Sequence, residues 1–280
     1  MIRKPDESMR PEMIRLWKQT FGDDDAFIAP FFRRMGDGVD ARVYLVDGHV
    51  VAAAYLVDAQ LEVNGARMPM WYEYALATQP SMRGRGLMTA LLAGVHTDAS
   101  AAGILYTALR PASAQLVRYY AKRGYRPYFR SRYVSRTRAA LQQRIAAPGA
   151  PQSCDLAWLW DRAIAQTNGS AHWSRSAIAF ALQAAEAGGD KVVHGTDGFA
   201  VWTESGTEAT VKLWAPSPGG APRLAQRLLQ SDCDRFRFRL PVNAPDFPVS
   251  GMVCTDGMLY AVGNAPIPDS ENAFLGMEMD

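Results

Sequence analysis

The sequence predicts an α/β protein, an α+β mixed sheet, in two domains. Three observations lead there. Hairpin signals precede a strand, turn, helix, strand, helix succession. A Pro/Ala/Gly-rich stretch interrupts the chain near its middle, and the order of the first half is echoed in the second. The 280 residues are 48% hydrophobic and 21% charged, with 23 glycines and 17 prolines. Such proportions are globular and exclude disordered, collagen-like and coiled-coil chains. The length suits about two domains.

Leu16, Trp17 and Phe21 recur at helical spacing after Pro11-Glu12, and Asp23 to Asp25 can cap a second helix running through Phe31-Phe32. Strands over 43–46 and 49–56 flank Asp47-Gly48, a pair suited to a tight hairpin turn. A second hairpin turns at Asn64-Gly65, between Leu61 with Val63 and a strand over 71–78. That strand ends at Gln79-Pro80, because proline has no amide for a central ladder. A glycine-bearing turn over 81–86 leads into an apolar helix over 87–96. Residues 104–109 have a buried-strand pattern, and 112–123 form an amphipathic helix stopped by Gly124.

These elements place a first domain at 1–138. Residues 139–153, with Ala146-Ala147-Pro148-Gly149-Ala150-Pro151, read as a linker. A second domain takes 154–280, with helices over 156–165 and 174–185 and a hairpin at Asp197-Gly198. A strand over 211–214, a Pro/Gly turn over 216–220, a helix over 221–230 and a strand over 236–240 follow. This order leaves two readings open: a degenerate structural copy of the first domain, or an unrelated α/β domain walling a substrate cleft.

The longest uncharged apolar stretch, 50–57, suits a buried strand and falls far short of a spanning helix. The first eight residues are polar and mixed in charge, without a signal-peptide core. Cys154, Cys233 and Cys254 make no CxxC, and His49, His96, His172 and His194 are scattered. A reducing cytoplasm and no metal are the expectation. Charge is segregated: between Asp98 and Asp155 lie nine arginines and Lys122 with no acidic residue. That segment reads either as a patch for a polyanion or as a basic surface paired with the acidic remainder.

The feature that carries chemistry is a strand, then Arg83-Gly84-Arg85-Gly86, then a helix. The glycines let successive amides face one way at a helix N-terminus, a nest suited to a pyrophosphate, and the arginines add charge-assisted contacts. A P-loop would need Lys-Ser/Thr where Leu87-Met88 stands, and a dinucleotide fingerprint would need glycine at Thr89. A solvated turn is the plain alternative. The apolar, ordered flanks read against a nucleic-acid-binding RG segment.

The run from Tyr74 through Gln79-Pro80-Ser81-Met82-Arg83-Gly84-Arg85-Gly86 to Leu92 resembles the acetyl-CoA motif of GNAT-superfamily N-acetyltransferases, Q/R-x-x-G-x-G/A. The run from Pro111-Ala112-Ser113 to Tyr120-Ala121-Lys122-Arg123-Gly124-Tyr125 is similar to the family's later motif, which usually ends Tyr-x-x-x-Gly-Phe. Both motifs stand in the family's order, and the resemblance covers residues 1–135. Ser81 replaces the usual Gln/Arg, and Ser113 stands where Asn is common.

The resemblance implies transfer of an acetyl group from acetyl-CoA to a primary amine by direct attack. The backbone of Leu76, Ala77 and Thr78 would pair with the pantetheine arm. The amides of Gly84, Arg85, Gly86, Leu87, Met88 and Thr89 would take the pyrophosphate, with Arg83 and Ser113 assisting. Tyr120, four residues before Gly124, takes the family's place for the acid that protects the leaving thiolate. Tyr119 is its neighbouring alternative. Glu73, a lone carboxylate in an apolar strand, is the candidate base through a water, or else a partner in a salt bridge to an arginine. His49 reads as a turn residue, and the carboxylate of Asp280 is a further candidate base. The amine would be a small molecule or a peptide terminus. No membrane partner is expected, nucleic acid is disfavoured, and a homo-oligomer is left open. The competing reading is a catalytically idle CoA-sensing or partner-binding module of the same fold.

Overall fold

The computed structural model describes residues 1–143, 155–164, 167–244 and 250–277. They divide into two compact units. The first holds Met1–Leu61, Arg67–Pro127 and Gly257–Ile267, and the second the described parts of Glu62–Ala66, Tyr128–Asp256 and Pro268–Asp280. Among the described residues no helix is long and apolar enough to cross a membrane.

The first unit begins with β1 (Ile2–Arg3), α1 (Arg10–Phe21) and α2 (Asp25–Arg33). Asp24 caps α2 by accepting the Phe27 amide at 3.1 Å. An antiparallel meander of β2 (Val39–Val46), β3 (His49–Val63) and β4 (Ala66–Thr78) follows. Its central strand β3 is longer than the sequence pattern suggests, because Asp58 and Gln60 face outward while Ala59 and Leu61 stay buried. Thus one strand replaces the separate predicted pieces over 49–56 and 61–63. Next come α3 (Leu87–Ala101), β5 (Tyr106–Leu109) and α4 (Ala114–Ala121). Helix α3 runs past residue 96, and Arg42 holds Asp98 in its last turns. Strand β5 lies parallel to β4, from Met70↔Tyr106 to Tyr72↔Ala108. Residues 258–261, from far downstream, close the sheet antiparallel to β5, with Met258 opposite Leu109.

Both faces of β3 are covered, as a run of buried residues requires. On one face Trp17 and Phe31 pack on Tyr55, with ring centroids 4.9 and 5.3 Å away. On the other, Ala52, Ala54, Leu56 and Trp71 meet Leu91, Val95 and Ala99 of α3. The period of two along β3 sorts these side chains.

The second unit contains β6 (Arg126–Thr137) from residue 128, α5 (Arg138–Gln142), α6 (Leu156–Ala163), β7 (Ala171–Trp173) and α7 (Arg175–Ala187). Then follow β8 (Lys191–Gly195), β9 (Gly198–Ser205), β10 (Glu208–Pro216), α8 (Ala221–Leu228), β11 (Arg235–Leu240) and β12 (Met252–Ala261), whose end supplies the first unit's closing strand. Strands β8, β9 and β10 form an antiparallel meander. Helix α8 then leads to β11, parallel to β10, and β6 closes antiparallel to β11. This is the first unit's succession of pairings again. Its core gathers Val134, Val211, Trp214, Leu224, Leu228, Phe236 and Phe238. The predicted linker lies, from residue 144 on, outside the described residues, as do Cys154 and Ala165.

Candidate active site

The site of interest is built where β4 leaves β5. Their paired register runs to Tyr72↔Ala108. Three residues on, Ala75 has φ 47°, a left-handed conformation rare for a residue with a Cβ. The distortion re-aims the backbone of Leu76, Ala77 and Thr78. Gln79 returns to the ladder by donating its amide to the Val51 carbonyl at 2.8 Å. Nothing in Tyr74-Ala75-Leu76 signals this kink in the sequence.

Beyond a single turn over Pro80–Met82, Arg83 is extended, and Gly84 and Gly86 both have φ 77°. A Cβ built on either would meet nothing within 4 Å, so backbone conformation alone calls for glycine. The first bond of α3 runs from the Ala90 amide to the Gly86 carbonyl, 3.0 Å. The amides of Leu87, Met88 and Thr89 therefore lack intrahelical acceptors. Residues 83–86 are exposed. Exposed amides at the positive end of a 15-residue helix, flanked by Arg83 and Arg85, suit an anion. Arg83 also donates through Nε to the Thr78 carbonyl at 3.1 Å, tying the turn to the end of β4.

Arg123 fixes the neighbouring helix. Its Nε donates to Thr89 Oγ1 at 3.0 Å, its Nη1 to the Tyr119 carbonyl at 2.6 Å, and its guanidinium lies 3.3 Å from the Tyr119 ring centroid. Tyr119 is thereby occupied as a platform. Tyr120 instead points into the cluster of Leu92, Leu109, Tyr125 and Met258. Its hydroxyl makes no hydrogen bond among the described residues. Burial, then the Glu73 charge, holds its pKa well above the usual range for tyrosine, so the phenol stays protonated. Ser113 caps α4, its Oγ accepting the Leu116 amide at 3.3 Å, and keeps its hydroxyl hydrogen for another partner.

Glu73 has a side chain with no solvent exposure, and among the described residues no arginine pairs with it. Its Oε2 accepts the Tyr125 hydroxyl at 2.5 Å, and its Oε1 is 3.6 Å from His96 Nε2 without a hydrogen-bond partner. His96 Nε2 is 2.8 Å from the Tyr125 oxygen. A carboxylate only accepts, so the phenol gives its hydrogen to Glu73 and receives the His96 Nε2–H. Sequence reading left both partners out. The departure from Gly-Phe to Gly124-Tyr125 was the available signal for one of them. For His96 the signal was its position one helical turn after Leu92 on an otherwise apolar stripe.

His49 is exposed and pairs with Glu12 at 2.9 Å, and Asp280 lies outside the described residues. Several cations of the arginine-rich segment serve the fold. Arg138 donates to the carbonyls of Cys233 and Leu229, each at 3.0 Å, and Arg130 to that of Glu271 at 3.3 Å. In the second unit, the turn before α8 has no open nest. A Cβ on Gly220 would stand 2.2 Å from the Asp197 carbonyl, and the Asp197 carboxylate pairs with Arg223 there.

The family described as Acetyltransferase (GNAT) domain matches residues 1–128. No curated protein matches the chain. Among solved structures, a probable N-acyltransferase from Enterococcus faecalis is similar with a TM-score of 0.68 and 15% identity, over 94% of this chain and 72% of its own. A GCN5-related N-acetyltransferase from Kribbella flavida has a TM-score of 0.67 and 22% identity over the same shares, 94% and 72%. Another from Anabaena variabilis has a TM-score of 0.65 and 16% identity, over 94% of this chain and 73% of its own. At these identities the likeness is one of fold, and it extends through both halves of the chain.

Proposed function

We propose, from the premise that residues 1–128 are a GNAT acetyltransferase domain, that the protein moves an acetyl group from acetyl-CoA to a primary amine. The observation that carries this reading is the Gly84–Thr89 turn, with two glycines at φ 77° ahead of unpaired helix amides. Those amides, with Arg83 and Arg85, would bind the pyrophosphate, and the backbone of Leu76, Ala77 and Thr78 would hold the pantetheine arm and polarise the thioester carbonyl. Ser113 would donate its free hydroxyl hydrogen to the arm.

The unpartnered Oε1 of Glu73 suits a base acting through a water, which takes the proton of the attacking ammonium. The neutral nitrogen then adds to the carbonyl carbon, the C–S bond breaks with the sulfur keeping the electron pair, and the cationic nitrogen loses its second proton to water to leave the neutral amide. Tyr120, protonated and without an internal partner, would donate to that thiolate. The acceptor is a small-molecule or peptide amine, and a cytoplasmic location goes with a cytoplasmic acyl donor.

The test is thermal shift followed by thiol release. Acetyl-CoA should raise the melting temperature, and replacing Gly84 with a bulky residue should abolish the rise. Thiol release against a panel of primary amines then separates an enzyme from an idle module. A shift with no release by any amine would favour the CoA-sensing reading, and no shift with any acyl-CoA would remove both.

A further inference from the structure

We infer that His96 and Tyr125 are positioning residues for the acyl transfer: a chain of two hydrogen bonds, His96 Nε2–H to the Tyr125 oxygen and the Tyr125 hydroxyl to Glu73 Oε2, turns the buried carboxylate so that Oε1 is its one free basic oxygen. This rests on the acyl-transfer reading above. The distances are 2.8 and 2.5 Å, and Glu73 makes no other side-chain hydrogen bond among the described residues.

Three features make the chain more than packing. A buried carboxylate is costly unless hydrogen bonds favour its charged form, and here a single phenol supplies the bond. Its rotamer is held from three elements at once: Glu73 stands on β4, His96 on α3, and Tyr125 just beyond α4. Thr107 of β5 adds a hydroxyl 3.5 Å from the Tyr125 oxygen. The far end is also braced, because the His96 ring stacks on Tyr260 of β12 with centroids 3.7 Å apart and planes 9° from parallel. Tyr125 in turn packs on the Tyr120 ring at 5.6 Å, so the chain orients both proposed proton-handling groups.

His96 is also where this buried chain meets solvent. It lines an open groove of about 810 Å³ with Thr97, Lys122, Arg123 and Tyr260. The charged and titratable groups facing it are therefore Glu73 and Tyr125 inside, and Lys122, Arg123 and Tyr260 in the groove.

The experiment compares H96A, H96Q and Y125F with the wild type, reading kcat, the acetyl-CoA KM and the pH profile of kcat/KM with an amine that supports wild-type thiol release. Gln offers an N–H where the imidazole Nε2–H stands, so H96Q should retain most of kcat. H96A and Y125F should each lower kcat by about tenfold or more with KM unchanged. H96Q should also keep the wild-type pH profile of kcat/KM, whereas H96A and Y125F should not. Proton NMR provides a readout free of activity. The Tyr125 hydroxyl should give a slowly exchanging downfield resonance in the wild type and H96Q, weakened in H96A and absent in Y125F and E73Q. Wild-type kcat and profile in H96A and Y125F, or equal losses in H96A and H96Q, would overturn the inference while leaving acyl transfer standing. A wild type that releases no thiol with any amine would overturn the acyl-transfer reading itself and this inference with it.

Discussion

If the Gly84 turn binds the coenzyme as proposed, replacing Gly84 by alanine should isolate the backbone term of that binding. The residue sits at φ 77°, and a Cβ there meets nothing within 4 Å. No clash can contribute, so the whole cost is the left-handed strain of a residue with a Cβ, about 1–2 kcal/mol. Because residues 83–86 are exposed, the free protein can relieve that strain by letting the turn relax. A form holding the proposed anion could not, since relaxation would swing the amides away from it. The cost should therefore fall on binding, weakening CoA by about 5- to 30-fold. Calorimetric titration with CoA measures this, and a thermal melt without ligand checks that Tm is unmoved. An affinity within twofold of wild type, or an unliganded melt that drops while affinity holds, would refute the reasoning.

Three further outcomes are expected. Tyr120→Phe should lower kcat by about 100-fold with little change in the acetyl-CoA KM, read from steady-state thiol release. It should leave stability within about 0.5 kcal/mol, because the lost hydroxyl has no hydrogen-bond partner among the described residues. CoA should bind once per chain in calorimetry, because the second unit's turn is filled by Asp197 and Arg223. A stoichiometry of two would contradict that. The third concerns alkali. Burial raises the pKa of Tyr55, Tyr106, Tyr120 and Tyr125 in the folded protein. The unfolded chain then loses protons first, so stability is whole below about pH 10 and falls as pH rises above it. Absorbance at the phenolate band should therefore include a jump that coincides with loss of circular dichroism, rather than a smooth titration of every tyrosine.

Much of the first unit was legible because its signals are local. Asp47-Gly48 and Asn64-Gly65 name their turns, Pro80 ends its strand, and Gly84 and Gly86 mark a conformation that few other residues adopt. Strand limits were less so. Asp58 and Gln60 look like a break until alternation is seen to carry them outward on a continuous β3. The Glu73 surroundings were hidden for a different reason. Their partners lie 23 and 52 positions away, as His96 and Tyr125, and no periodicity links a strand carboxylate to a helix imidazole and a phenol after a second helix. The kink at Ala75 left no trace either, since alanine is the residue least able to advertise a positive φ.

Each unit draws its closing strand from distant sequence. Tyr128 onward leaves the first unit to pair with β11, while residues 258–261 come back to pair with β5. A ribosome must therefore synthesise past residue 257 before β5 has its closing partner. Until then β5 presents a bare edge, the kind of surface that recruits foreign strands. Nascent chains stalled before residue 257 should need a holding chaperone, whereas chains released after it should not.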